Sequence, residues 1–218
     1  MDSRELWRTL SVVGEYVGLS FACPGKDLSE ALTCGEYLSA TREIREVLSL
    51  DADDQGLSFI ASLVGKGEKR ALADVRVEYT RLFVGAPKPI VRPYEGSFRL
   101  AGEGRDDIVL MVNPYAQQVA SFYDECGIAV LSSEPGDHVS LELQALSYLA
   151  GVEAGLLSPA APLDAGALFA RFLEDHLEAW ACDFAEKVID ADRTGFYRSA
   201  AEVLQSYTAF ARRALLAC

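Results

Sequence analysis

The chain has 218 residues, half of them apolar and 24% charged, which is enough to bury a sizeable core and too apolar for a disordered chain. A formal charge of −13 excludes a nucleic-acid backbone as the natural partner, because phosphate binding needs a basic surface, and favours basic partners such as an arginine- or lysine-bearing peptide. No apolar run approaches the ~20 residues that cross a membrane, the N-terminus lacks the order of a signal peptide, and cysteines 23, 34, 126, 182 and 218 show no CxxC spacing, so a cytoplasmic protein with reduced thiols is expected.

In chain order, nearly every periodic segment reads as helix. Residues 4–21 carry Leu6, Leu10, Val13 and Val17 at helical spacing and stop at the CPGK turn. Residues 27–50 hold one helix or two, with Thr41 as a candidate internal cap. DADDQG at 51–56 is a polar break, and a short helix over 57–64 ends at GKG. Residues 68–84 place Leu72, Val75, Tyr79, Leu82 and Phe83 on one stripe, closed by Gly85. Glu78 flanks this stripe and reads as solvated, with Arg81 or Lys69 in reach as a partner. The following APKPIVRPYEGSFRLAGEGRDD carries three prolines and three glycines and is expected to be irregular throughout. It is the longest such stretch, and long loops in compact domains often carry function. IVLMV at 108–112 is the one candidate strand, or else a short extended link.

Asn113-Pro114 starts the next predicted helix, which Gly127 ends. After SSEPG, Asp137 is read as the N-cap of a helix apolar on two sides: Val139, Leu143, Leu146 and Ala150 on one, Leu141, Ala145, Tyr148 and Val152 on the other. Between them runs a small-polar strip of Ser140, Gln144, Ser147 and Gly151. Such a helix belongs at the centre of a bundle, with His138 and Glu142 at an inner edge near its start. A charged histidine in a first turn is disfavoured by the helix dipole, so the cap does not account for His138. From Phe169 to Val188 a single stripe runs over five turns and includes His176 as a core histidine. ADRTG breaks it, and residues 194–216 form the last helix.

Little of this is catalytic chemistry. There is no G-x-S-x-G elbow and no P-loop. His138 and Glu142 stand at i, i+4, but a di-iron bundle needs Glu three residues before each histidine, and positions 135 and 173 are Pro and Leu. A helical metal-dependent enzyme using His138, Glu142 and His176 is the alternative reading.

Three ordered motifs carry a resemblance. EYTRLFVGAPKPIVRPYEGSF (78–98) resembles the E-Y-x-x-L-F-x-G … P-Y-x-S signature of the TorD/DmsD family, cytoplasmic chaperones that mature molybdenum-cofactor redox enzymes. EPGDHVSLEL (134–143) is similar to the family's E-P-x-D-H-x-x-x-E-L, and FLEDHLEAWACDF (172–184) to its F-x-x-x-H-L-x-x-W-x-x-x-F. One departure is Gly96, which stands between Glu95 and Ser97 where relatives often have Glu-Ser directly.

The resemblance implies an all-α fold: a single globular helical bundle of about ten helices over 1–218, with hinges near 99–113 and 126–136. It implies a chaperone, not an enzyme, acting as monomer or domain-swapped homodimer, with no metal or cofactor. Its partner would be the twin-arginine leader of a molybdenum oxidoreductase in its cofactor-free form, held back from export. Asp137 and His138 match the family's leader-contact pair; Tyr79, Phe83, Pro93, Tyr94 and Ser97 match elements that line the same groove.

Guanidinium groups pair best with carboxylates, so Glu78, Glu95, Glu134, Asp137 and Glu142 are the expected partners of the two arginines. Tyr79, Phe83, Tyr94 and Phe98 would receive the apolar part of the leader. Protonated His138 would repel the arginines, so leader binding is expected to weaken as pH falls from about 8 to 5.5.

Overall fold

The structure, a computed structural model, describes residues 2–51, 54–105 and 113–217. The candidate strand at 108–112 and residues 106–112 of the candidate hinge lie outside them. Among the described residues there are eleven α-helices and no strand, so the expected all-α bundle is what forms.

Helix α1 (Ser3–Phe21) is capped by Asp2, whose carboxylate accepts from Glu5 N at 2.8 Å. It buries Trp7, Leu10, Val13, Val17 and Phe21. The region expected to be one helix or two is two, α2 (Lys26–Cys34) and α3 (Glu36–Val47), divided at Gly35 with φ 89°. Thr41 is not the cap. It lies inside α3, donating to Tyr37 O at 2.7 Å, because a threonine hydroxyl can be satisfied within its own helix while a left-handed turn favours glycine.

Helices α4 (Asp54–Leu63) and α5 (Glu68–Tyr79) follow. The α5 stripe ends in a single π-helical turn, Thr80–Val84. The stretch expected to be irregular is so only to residue 94. A helix, α6 (Glu95–Gly102), forms inside it, because no proline follows position 93 and Glu95 supplies an acidic first turn.

Helix α7 (Pro114–Cys126) has the expected Asn113 cap, accepting from Ala116 N at 2.7 Å, and ends at Gly127 with φ 65°. Helix α8 (Val139–Glu153) starts one residue later than expected: His138, not Asp137, is its N-cap. The last stripe is also divided. Helix α9 (Ala165–Asp175) stops at His176, a 3₁₀ turn spans Leu177–Ala179, and α10 (Ala181–Ala191) resumes. The spacing did not register this break because Leu177 and Trp180 stay buried across it. Helix α11 (Phe196–Ala217) closes the chain.

One hydrophobic cluster draws on nearly all of these elements. At its centre α1 lies against α8, and the small-polar strip of α8 is the reason. Ser11 Oγ donates to Ser147 O at 2.9 Å and Ser147 Oγ returns to Ser11 O at 2.8 Å, while Gly14 and Gly18 of α1 admit the α8 backbone. Helices α9 and α11 pack on this pair, and α10 packs on α11.

Candidate functional site

The two sequence-distant motifs meet at a backbone bridge. Glu95 N donates to Asp137 O at 3.0 Å and Val139 N to Pro93 O at 2.9 Å, pairing Tyr94 with His138 in antiparallel register. The bridge brings the starts of α6, α7 and α8 to one point, and the side chain of Asp137 occupies it. Its Oδ2 accepts from Gly96 N at 3.1 Å and Asn113 Nδ2 at 3.3 Å, while Oδ1 has no partner among the described residues. Asp137 is fully buried, and burial raises its carboxyl above the usual range against those two hydrogen bonds. Gly96 is required here, since a Cβ would stand 2.5 Å from Asn113 Oδ1.

His138 is 1% exposed. Its Nδ1 accepts from Ser140 N at 3.2 Å and lies 2.7 Å from Ser140 Oγ, which fixes a neutral ring with the proton on Nε2. Burial lowers its pKa to about 4, against a smaller opposing influence of Glu134. The expectation that His138 gains charge between pH 8 and 5.5 is therefore corrected: the ring stays neutral over that window because the protein interior disfavours the cation. The Tyr94 ring meets it edge-on at 5.2 Å. From the other side of that ring, Tyr94 Oη donates to Glu134 Oε2 at 2.7 Å.

The remaining acids are engaged internally. Glu142 is fully buried and takes Trp180 Nε1 at 3.1 Å on Oε2, with Oε1 lacking a partner among the described residues. Burial, reinforced by Glu95, pushes its carboxyl well up, so it holds a proton far beyond ordinary glutamate pH. Glu95, also buried, binds Arg99 Nη1 at 2.7 Å and His176 Nδ1 at 2.9 Å. Arg99 Nη1 also donates to Asp175 O at 2.7 Å, tying α6 to the end of α9. Glu78 is not solvated as expected: it is buried, clasped by Arg81, and accepts from Arg193 N at 2.8 Å, so α5 is pinned to the turn before α11. Of the five carboxylates expected to meet arginines, only Glu134 is half-exposed.

Tyr79 and Phe83 are core residues, 5.3 Å apart edge-to-face and both against Tyr197. Pro93 is buried and serves through its carbonyl. Ser97 donates its N–H to Tyr94 O at 3.1 Å, next to the bridge, and lies on the wall of a separate cleft.

His138, Glu142 and His176 turn to Ser140, Trp180 and Glu95 respectively. Among the described residues, no three His, Cys, Asp or Glu side chains are grouped to hold a metal ion.

Glu134 opens onto a groove of about 540 Å³, between the end of α1, the extended segment 128–134 and the first turns of α8. Ala22, Cys23, Leu131, Leu141, Gln144 and Glu134 are among its lining residues. Leu131 is 99% exposed. Apart from Glu134, sequence reasoning missed these residues. The available signal was IAVL at 128–131, an apolar run belonging to no helical stripe.

Residues 40–186 match the family model described as "Nitrate reductase delta subunit". The chain is 29% identical to the chaperone protein TorD of Shewanella loihica over 151 residues, 68% of this chain and 66% of that one, just under two thirds of its length. It is also 29% identical to chaperone protein TorD of Vibrio cholerae (strain O395) over 192 residues, covering 84% of this chain and 82% of that one. A candidate redox enzyme maturation protein from Archaeoglobus fulgidus superposes with a TM-score of 0.53 at 18% identity, covering 94% and 95% of the two chains. That likeness establishes the fold. Among the described residues no helix is long and apolar enough to cross a membrane.

Proposed function

This chain belongs to the nitrate reductase delta subunit family, which includes the TorD-type proteins its motifs resemble, and from that premise we propose that it is a cytoplasmic chaperone binding the twin-arginine leader of a molybdenum-cofactor oxidoreductase before export. It transforms nothing: the leader is held while the client is matured, then released. The observation that carries this reading is the bridge between the two motifs, from which Tyr94 holds Glu134, a lining residue of an open groove.

In this proposal Glu134 receives a leader guanidinium, for which a carboxylate is the best acceptor, and Tyr94 Oη holds it in place. Leu131, Leu141 and Ala145 receive the apolar part of the leader. Asp137, His138, Glu142, Glu78, Pro93, Tyr79 and Phe83 act from beneath, holding the segments that present the groove. Ser97 marks the far side of the same loop. Residues 1–218 act as one helical unit, monomeric or paired by exchange about hinges near 99–113 and 126–136.

A leader that is disordered when free loses conformational entropy on docking, and micromolar affinity, about 8 kcal/mol, suits a client that must leave. Calorimetric titration with a twin-arginine peptide and its Lys-Lys counterpart tests the reading. The arginine peptide is expected to bind more tightly, and Glu134→Gln to weaken it about tenfold, or about 1.4 kcal/mol. Equal affinity for the two peptides would leave generic charge attraction and overturn the leader specificity.

A further inference from the structure

The loop before α6 borders a cleft of its own. A cleft of about 290 Å³ lies between residues 88–92, α6 and α10, with Lys88, Arg92 and Lys187 on its walls together with Pro89, Phe98 and Ser97. None of the three cations makes an ion pair or a side-chain hydrogen bond with another described residue. On a chain of net charge −13 such a cluster is unexpected, because acids outnumber bases and a lysine is seldom far from one.

Lys187 makes the point sharply. Asp183 lies four residues before it and Asp190 three after, both within helical reach on α10. Its ammonium turns from them instead and sits 4.6 Å from the centroid of the Phe98 ring on α6. At the same cleft, the buried Ser97 Oγ has no hydrogen-bond partner among the described residues.

We propose that this cleft is a second docking site, which takes an acidic, apolar-bearing peptide segment of the client protein. Charge complementarity selects the sign of the ligand. The spacing of the charges selects its class. A phosphate needs a dense nest of N–H donors, and here prolines 87, 89 and 93 remove three amide donors from the loop. The cations are instead separated by apolar wall from Pro89, Ile90, Val91 and Phe98. That arrangement matches carboxylates spaced along a chain with apolar side chains between them. The chaperone then reads its client at two places of opposite sign. That the carrier of the segment is the client rests on the leader-binding reading above; the acidic specificity of the cleft does not.

The test uses the full chain with phenylalanine ¹³C-labelled. The probe is an eight-residue peptide of alternating Glu and Leu, compared with its Gln–Leu version and with inorganic pyrophosphate. The Glu–Leu peptide is expected to shift the Phe98 ring resonances and to bind about fivefold more weakly to the surface variant Lys187→Gln. The twin-arginine leader is expected to bind wild type and Lys187→Gln equally. Equal binding of the Glu and Gln peptides, or Phe98 resonances that do not move, would overturn the inference. So would pyrophosphate shifting Phe98 where the Glu–Leu peptide does not, which would assign the cleft to a small anion. Leader binding without Glu–Leu binding sinks this inference alone. Glu–Leu binding without leader binding sinks the leader reading, and with it the client as carrier, while the cleft's acidic specificity stands.

Discussion

Glu142 carries one hydrogen bond, from Trp180, in a site where its second oxygen has none among the described residues. Its carboxyl is raised above about 4.5, so its contribution to stability is fully present below that pH and is lost as pH rises through the folded value. Gln keeps an acceptor for Trp180 and cannot ionise. Glu142→Gln is therefore expected to raise the urea-unfolding free energy at about pH 8 by about 1–3 kcal/mol, with the difference vanishing near pH 4. His138 works in the opposite sense. Its folded pKa of about 4 lies below the unfolded 6.5, so its contribution is present above pH 6.5 and lost as pH falls towards 4. Two neighbouring residues at one helix start thus draw the stability optimum from both sides. The sequence placed both positions at an inner edge, but their complete burial and the sign of each shift were not readable from it, because they depend on what the surrounding helices cover and, for Glu142, on Trp180 and Glu95 from elsewhere in the chain.

At the scale of elements, the contact between α1 and α8 depends on missing side chains. A Cβ on Gly14 would meet Tyr207 Oη at 3.1 Å and both Leu143 O and Ser147 Cβ at 3.4 Å. Branching beyond Cβ has no space, so Gly14→Val is expected to lower the unfolding free energy by about 1–3 kcal/mol, read as a fall in the urea midpoint. Gly102→Ala on α6, where a Cβ meets nothing within 4 Å, is the control and should leave the midpoint unchanged or slightly raised, because alanine is the better helix former. The strip Ser140, Gln144, Ser147 and Gly151 was visible as a pattern in α8, as were the caps at Asn113 and Gly127. Less visible were the π turn at Thr80–Val84, the break at His176 and the helix after Pro93. The last two are held by partners distant in sequence: Glu95 holds His176, and Asp137 holds the first turn of α6.

For the whole molecule, charge and burial together set how binding responds to solution conditions. Leader affinity is expected to stay flat between about pH 8 and 5.5, since His138 is neutral throughout and the net charge of −13 changes little over that range. It should fall with added salt, because the attraction between an acidic protein and an arginine-bearing peptide is screened. Calorimetry over pH and ionic strength checks both; a loss of affinity tracking a pKa near 6.5 would return His138 to direct contact.

The sequence by itself determined the helical class, the acidic field and the family, because helical periodicity, net charge and short motifs are local or additive properties of the chain. It also marked the residues around which the segments gather. Only the tertiary structure decided which of them face solvent. Asp137, His138, Glu95 and Glu142 are the right chemistry for a surface that reads arginine, yet all are buried and bonded inward, leaving Glu134, held by Tyr94, at the groove. Exposure is a property of the packed whole: it depends on what the other helices cover, and no stretch of the chain carries that information alone.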